Sequence, residues 1–296
     1  MSGMHSTPLR TAPTNLLPAL PAWLEAGLQG CADHITVTAQ RAYRLRAVQA
    51  DTPALIVLLE GIKRAEVEGR QLELACGEYL VVHQACRMAV ENLPSPGSSN
   101  GYRAWVLPFP WHVVDMARML LQGQRAAEAP LRPQTAMPIS SGNTEPLLPA
   151  LRAYLSAMAP GAEPPNAAQR DHALIGLLLA LARAGQDHFL QAQDPSLAAR
   201  IRQLVAQAPA RNWTSGDFEV ALNISGATLR RRLTQEETSL RAILKETRLH
   251  HGLGLLQTSR KPLKSIALAC GYQSLASFSR GFAEHFGVPP GAVANA

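Results

Sequence analysis

The spacing of apolar positions divides the chain into two regimes. From residue 34 to residue 109 they recur by twos. His34-Ile35-Thr36-Val37-Thr38 and residues 43–48 alternate as a half-buried strand does, and 54–60 (ALIVLLE) is a buried-strand run that ends at Gly61. Residues 63–74 read as a hairpin turning near Glu68-Gly69-Arg70. Residues 78–83, 87–91 and 102–109 continue the pattern, with 94–101 (PSPGSSNG) as a loop. This many short strands at close spacing predict a barrel or a sandwich. From Trp111 the period becomes helical: 111–122, then 146–158 with Leu147, Leu151, Tyr154 and Leu155 on one face, then 167–189 with Leu174, Leu177, Leu178 and Leu181. The last of these is apolar around much of its girth, which fits either packing on the strands or a dimer interface. Residues 160–166 (PGAEPPN) break the helices. Residues 123–143, rich in Ala, Pro, Ser and Gly, read as a linker or exposed loop. Residues 1–30 read as a loose tail with a short helix candidate at 16–28.

The last hundred residues are helical in pattern and contain a motif twice. In 218–233, Phe218, Ala221 and Leu222 give a short apolar face, Asn223 and Ile224 a turn, and Ser225 an N-cap. Leu229 and Leu233 then anchor a helix whose outer surface carries Thr228, Arg230, Arg231 and Arg232. In 266–290, Ile266, Ala267 and Cys270 share a face with Leu263 just before them, Gly271 supplies the turn, and Ser274 is the N-cap candidate. Phe278, Phe282 and Phe286 point inward, leaving Ser277, Arg280 and Glu284 outside. Small helix, turn, second helix is the form of a DNA-reading helix-turn-helix. Residues 239–259 between the two units carry Ile243, Leu249, Leu253 and Leu256 as an inward stripe and read as one long connecting helix. A first helix of this region falls at about 196–207.

Charge sharpens the picture. The net charge is +6, and from Ser196 onward there are 13 Lys and Arg against 6 Asp and Glu, leaving 15 against 16 before it. A basic surplus confined to the region with the repeated motif is the footprint of a polyanion binder. Cys31, Cys76, Cys86 and Cys270 lack CxxC spacing and read as buried thiols. No apolar run reaches membrane-spanning length and the N-terminus has no signal-peptide pattern, so the expected location is cytoplasmic.

The C-terminal third resembles the DNA-binding domain of the AraC/XylS family of bacterial transcription regulators. The resemblance is carried by Ser225, Leu229 and Arg231, by Arg248-Leu249 with Leu255-Leu256, by Ile266-Ala267 and Cys270-Gly271-Tyr272, by Ser274, Phe278-Ser279-Arg280 and Phe282, and by Gly287 with Pro289-Pro290. Three departures stand out. Glu237 occupies a place usually held by glycine, at a cost of ~1 kcal/mol if the left-handed conformation is kept. Gly252 and Gly254 should weaken the connecting helix by roughly 1 kcal/mol each relative to alanine. Val293 stands where the family has an aromatic residue.

The resemblance implies an α+β chain: an N-terminal cupin-like β-barrel over 31–122 that senses a signal, a linker and helical dimerisation segment over 123–195, and an all-α double helix-turn-helix domain over 196–296. The implied function is a sequence-specific transcription regulator, mostly of the activating kind. Its partners would be double-stranded DNA, RNA polymerase, a small-molecule effector and a second copy of the chain, with no cofactor and no membrane. DNA contacts would come from Ala227, Thr228, Arg230, Arg231 and Arg232 in the first unit. In the second they would come from Gln273, Ser274, Leu275, Ala276, Ser277 and Arg280.

The alternative is a cupin-type barrel enzyme fused to a DNA-binding module. That chemistry needs two or three His and a carboxylate on one metal. His34, His83 and His112 are single, and Glu78 and His83, five apart on a strand, point to opposite faces. No GxSxG and no phosphate-cradling glycine loop occurs.

Overall fold

The structure is a computed structural model that describes Leu24 and residues 35–97, 101–125, 137–159, 166–191 and 196–294. His34, Cys31, most of the 1–30 tail with its helix candidate, and all of 126–136 and 160–165 lie outside the described residues; Leu24 is helical and buried.

Among the described residues nine strands form two antiparallel sheets. They are β1 (Ile35–Ala39), β2 (Tyr43–Ala50), β3 (Ala54–Glu60), β4 (Ile62–Val67), β5 (Arg70–Leu74), β6 (Glu78–Val82), β7 (Cys86–Leu93), β8 (Tyr102–Pro108) and β9 (Ile139–Asn143). One sheet runs β1-β8-β3-β6-β9 and the other β2-β7-β4-β5. No ladder among the described residues joins them, so the expected barrel is an open two-sheet sandwich. The hairpin turn falls where the sequence puts it, with Glu68 and Gly69 both at positive φ (51° and 78°).

The run ALIVLLE owes its lack of alternation to burial on both faces. Ala54, Ile56 and Leu58 face the second sheet, in a core with Leu45, Ala65, Val67, Leu80, Val82, Val90 and Ala104. Leu55, Val57 and Leu59 face the other way, with Tyr79, Val81, Trp105 and Leu107, and are covered by helices. Those helices are α1 (Trp111–Arg125), α2 (Leu148–Met158) and α3 (Ala167–Arg183). Leu151, Tyr154, Leu155, Leu174, Leu177, Leu178 and Leu181 are all spent on this internal layer. The apolar girth of α3 is thus accounted for within one chain. It ends at Arg183, earlier than the pattern predicts, because Gly185 turns out of the helix at φ 78°.

The linker expectation fails in part. Residues 139–143, read as part of a linker, form β9, hydrogen-bonded to β6 from Glu78↔Asn143 to Val82↔Ile139. The sequence ISSGN has no apolar alternation. The strand is held by Ile139 in the core and by Gly142, whose missing side chain leaves room for the Tyr79 ring.

The C-terminal region is α4 (Leu197–Gln207), α5 (Ser215–Leu222), α6 (Gly226–Gln235), α7 (Leu240–Thr258), α8 (Leu263–Ala269), α9 (Leu275–Phe286) and α10 (Pro290–Val293). Its first half has its own core of Leu197, Ile201, Val205, Phe218, Leu229, Leu233 and Ile243. Its second half does not: Leu249, Leu253, Leu256, Ile266, Phe278, Phe282, Phe286 and Val293 are continuous with the interior of the sandwich. No described helix is long and apolar enough to cross a membrane.

Candidate nucleic-acid interface

Both helix-turn-helix units form, and each is built by the residues that signalled it. Thr214 caps α5 in a reciprocal box with Asp217, whose carboxyl is held below the usual range by hydrogen bonds from Thr214 and by the nearby Arg211. Asn223 turns the chain in the left-handed region at φ 52°. Ser225 then caps α6, its hydroxyl accepting from the Thr228 N–H at 3.2 Å. In the second unit Gly271 makes the turn at φ 78°, where a side chain would also press on Ala210 and on the Pro209 carbonyl. Ser274 caps α9 by accepting from the Ser277 N–H at 3.2 Å. Gly287 ends α9 at φ 86°.

The connecting helix α7 starts from its Ser239 cap, after Glu237, which keeps the left-handed conformation at φ 52° despite its side chain. Gly252 is not a mere weak point in it. A Cβ there would come 2.7 Å from the Phe278 ring and 3.2 Å from Cys270 Sγ, so the second unit packs onto bare backbone. Gly254 has nothing within reach and fits the sequence expectation of a plain helix-weakening residue. Arg248 ties the units together, its Nε and Nη2 donating to the Pro209 and Arg211 carbonyls at 3.0 Å each. Sequence reasoning noted Arg248 without seeing this role; the available signal was a cation placed beside the inward stripe of α7.

The expected contact residues fall on two surfaces. On α6, Ala227, Arg230, Arg231 and Arg232 are exposed, and Thr228 is half-buried, its hydroxyl bonded to that of Ser225 at 3.0 Å. At α9, Gln273, Ser274, Leu275, Ala276, Ser277 and Arg280 are all exposed. Arg230, Arg231, Arg232 and Arg280 enter no ion pair among the described residues, whereas Arg44, Arg64, Arg87, Arg118, Arg202 and Arg211 each hold a carboxylate. Arg230 spends only its Nε, on the Gly226 carbonyl (3.3 Å), and exposed guanidinium groups without a carboxylate partner can meet phosphate oxygens or guanine edges without first breaking an ion pair. Their chemistry is unequal: three arginines on α6 against one on α9, beside Leu275 and Ala276.

A second polar constellation lies inside the sandwich. Lys63 is buried, its Nζ donating to Asn92 Oδ1 (3.0 Å) and the Tyr102 hydroxyl (3.4 Å), and burial lowers its pKa to about 8. Asn92 in turn donates to the Tyr43 hydroxyl (2.9 Å), which also accepts from Gln257 Nε2 of α7 (2.8 Å). The sandwich interior is thereby wired to the connecting helix. Of the histidines considered as metal ligands, His83 is buried with its Nε2 2.6 Å from Ser140 Oγ, and His112 is exposed beside Asp171.

Comparison with known proteins agrees with this geometry. Residues 220–296 match the family described as helix-turn-helix domain. The HTH-type transcriptional regulator GadX of Escherichia coli is 30% identical over 125 residues, 41% of this chain and 45% of that protein. The virulence regulon transcriptional activator VirF of Shigella flexneri is 30% identical over 99 residues, 33% of this chain and 38% of that one. The matches thus span less than half the length of these curated relatives. Among solved structures, ToxT of Vibrio cholerae in an apo form aligns with TM-score 0.58 at 16% identity, covering 87% of this chain and 94% of that one. At that identity the likeness shows a shared fold, sandwich included.

Proposed function

We propose that the chain is a sequence-specific DNA-binding transcription regulator of the AraC type whose N-terminal sandwich passes a signal to the reader, a reading supported by the match of residues 220–296 to the helix-turn-helix domain family and by the likeness to GadX. The observation that carries this reading is the pair of serine-capped helices, α6 and α9, with exposed outer faces and unpaired arginines, in the most basic part of the chain. Base and phosphate contacts are assigned to Ala227, Thr228, Arg230, Arg231 and Arg232, and to Gln273, Ser274, Leu275, Ala276, Ser277 and Arg280.

The signal route is assigned to the buried Lys63–Asn92–Tyr43–Gln257 chain, which runs from the sandwich interior to α7. A small molecule with an acidic group would meet the Lys63 ammonium there. ToxT has been solved with an unsaturated fatty acid bound, which supports an effector of some kind in this fold. Activation through RNA polymerase is the mode favoured by the likeness to VirF, itself named an activator. A homodimer would use α1, where Met119 and Leu120 stand exposed, since the stripes of α2 and α3 are already covered. The working place of such a regulator is the cytoplasm. The enzyme alternative draws no support from relatives named as transcriptional regulators.

Footprinting of the full chain tests the reading. Two units entering the major groove on one side of the duplex should protect two segments roughly 10 base pairs apart. Inserting about 5 base pairs between them should abolish two-site binding. Protection of one segment alone, indifferent to the insertion, would leave only one unit reading DNA.

A further inference from the structure

Polar contacts join the sandwich to the C-terminal region from β1, where Thr38 Oγ1 donates to the Gln257 carbonyl of α7 (3.4 Å), and from β2 and β7. From β2, Arg46 Nη2 donates to the Glu284 carbonyl near the end of α9 (3.4 Å), and the Gln49 N–H donates to His250 Nε2 on α7 (2.8 Å). Just beyond β2, Asp51 holds Arg202 of α4 (2.6 Å). Arg87 of β7 adds an ion pair with Glu246 of α7. One edge of the sandwich therefore touches the first unit's support, the connecting helix and the second unit together.

The Gln49 contact requires a neutral imidazole in one tautomer. His250 Nδ1 lies 2.9 Å from the Glu246 carbonyl oxygen, which can only accept, so Nδ1 carries the proton. Nε2 receives the Gln49 N–H and must present its lone pair. A proton on Nε2 would set two N–H groups head to head and delete the bond. The His285 ring stands edge-on to His250 with centroids 5.3 Å apart, and its Nε2 is buried without a hydrogen-bond partner. Two charged rings at that distance would repel. The charged groups facing the pair are Glu246 and Arg87, with Arg46, Lys245 and Glu284 at the margin. Glu246 is already engaged by Arg87, and Glu284 by Lys245.

We propose that His250 and His285 form a proton-operated latch, closed between the sandwich and the reader while both rings are neutral and released when either gains a proton. Its regulatory consequence rests on the function proposed above; the latch itself does not. Burial, with each ring's neighbours, holds His250 below its ordinary value and His285 down to about 4, against the opposing pull of Glu246 and the Ala47 backbone. The sign follows. The docked state binds fewer protons than an undocked state whose rings titrate near the ordinary value of about 6.5. Docking is therefore at full strength above that pH and weakens as pH falls below it, levelling off near the docked value. At about pH 5.5 His285 alone weakens docking about tenfold. Burial raises the Asp51 carboxyl, so the docked state holds that proton more readily and Asp51 opposes release on acidification; the test must separate the two.

The test is hydrogen exchange on the full chain at about pH 7.5 and about pH 5.5, corrected for intrinsic rates and read at β2 and at the α4–α6 core. The wild type should lose protection around Gln49 by about tenfold, with the α4–α6 core unchanged. The double variant His250→Gln, His285→Gln retains an acceptor for Gln49 but cannot titrate, and its loss should shrink to about twofold or less. If that variant is already unprotected in its buried helices at the higher pH, His285→Gln alone is read instead and should lower the pH midpoint of release. A wild type indifferent to pH, a double variant that responds like the wild type, or a single variant with an unmoved midpoint would overturn the latch. DNA binding is measured separately at the higher pH; its absence would remove the proposed function and leave the exchange result standing.

Discussion

The two helix-turn-helix units are alike in local construction and unlike in what carries them. Each has a left-handed turn residue, Asn223 or Gly271, and a serine cap, Ser225 or Ser274. The first unit closes its own core around Phe218, Leu229 and Ile243. The second stacks Phe278, Phe282 and Phe286 into a core that runs on into the sandwich. Their outer faces differ in the same sense: α6 shows three unpaired arginines, α9 shows Leu275, Ala276 and Arg280. The pairing of these two differences teaches a division of labour. The unit free of the sandwich has the chemistry for reading bases, and the unit fused to it is placed to feel what happens inside it.

Core truncation should break the comparison most strongly. Phe218→Ala and Phe282→Ala should each cost about 3–5 kcal/mol. In hydrogen exchange, Phe218→Ala should loosen α4–α6 and leave the sandwich strands protected, whereas Phe282→Ala should loosen β2 and α7 as well. Equal effects of both on the strands would mean that the cores are not divided in this way. Next, Gly252→Ala should cost about 1–3 kcal/mol by forcing the Phe278 ring aside. Gly254→Ala, two residues on with open space around it, should instead stabilise by about 1 kcal/mol. Thermal unfolding of the pair reads both signs.

On DNA, Arg231→Ala should cost about 1–3 kcal/mol and relax preference at one base pair. Leu275→Ala, which removes at most contact with a thymine methyl, should cost less and leave the ranking of sites intact. Smallest is Lys264→Ala at the start of α8. Removing a phosphate contact should weaken all sites alike and lower the salt slope by about one, read from affinities across a salt series.

Much of this was legible in the sequence because local rules set it. Caps, turn residues and the Phe278-Phe282-Phe286 repeat depend on neighbours a few positions away, and the helices around them appear where the pattern put them. What depends on distant partners was not legible. Strand β9 is largely polar and gains its place from distant partners, β6 in the ladder and the core around Ile139. Gly252 looked like a defect until Phe278 was seen against it. Strand spacing left barrel and sandwich both open, and of the two the described residues form two unjoined sheets, since closure is decided by ladders that strand spacing does not encode. Nothing in residues 46–51 announces that they hold the reader, because their partners lie more than 150 positions away.

The division of labour between the units is tested most directly by binding-site selection with the full chain, scoring information separately for the two half-sites. The account predicts most of the information in the half-site met by α6, with guanine favoured opposite an arginine, and a looser, thymine-tolerant preference opposite α9. Equal information in both half-sites, or more in the second, would contradict it.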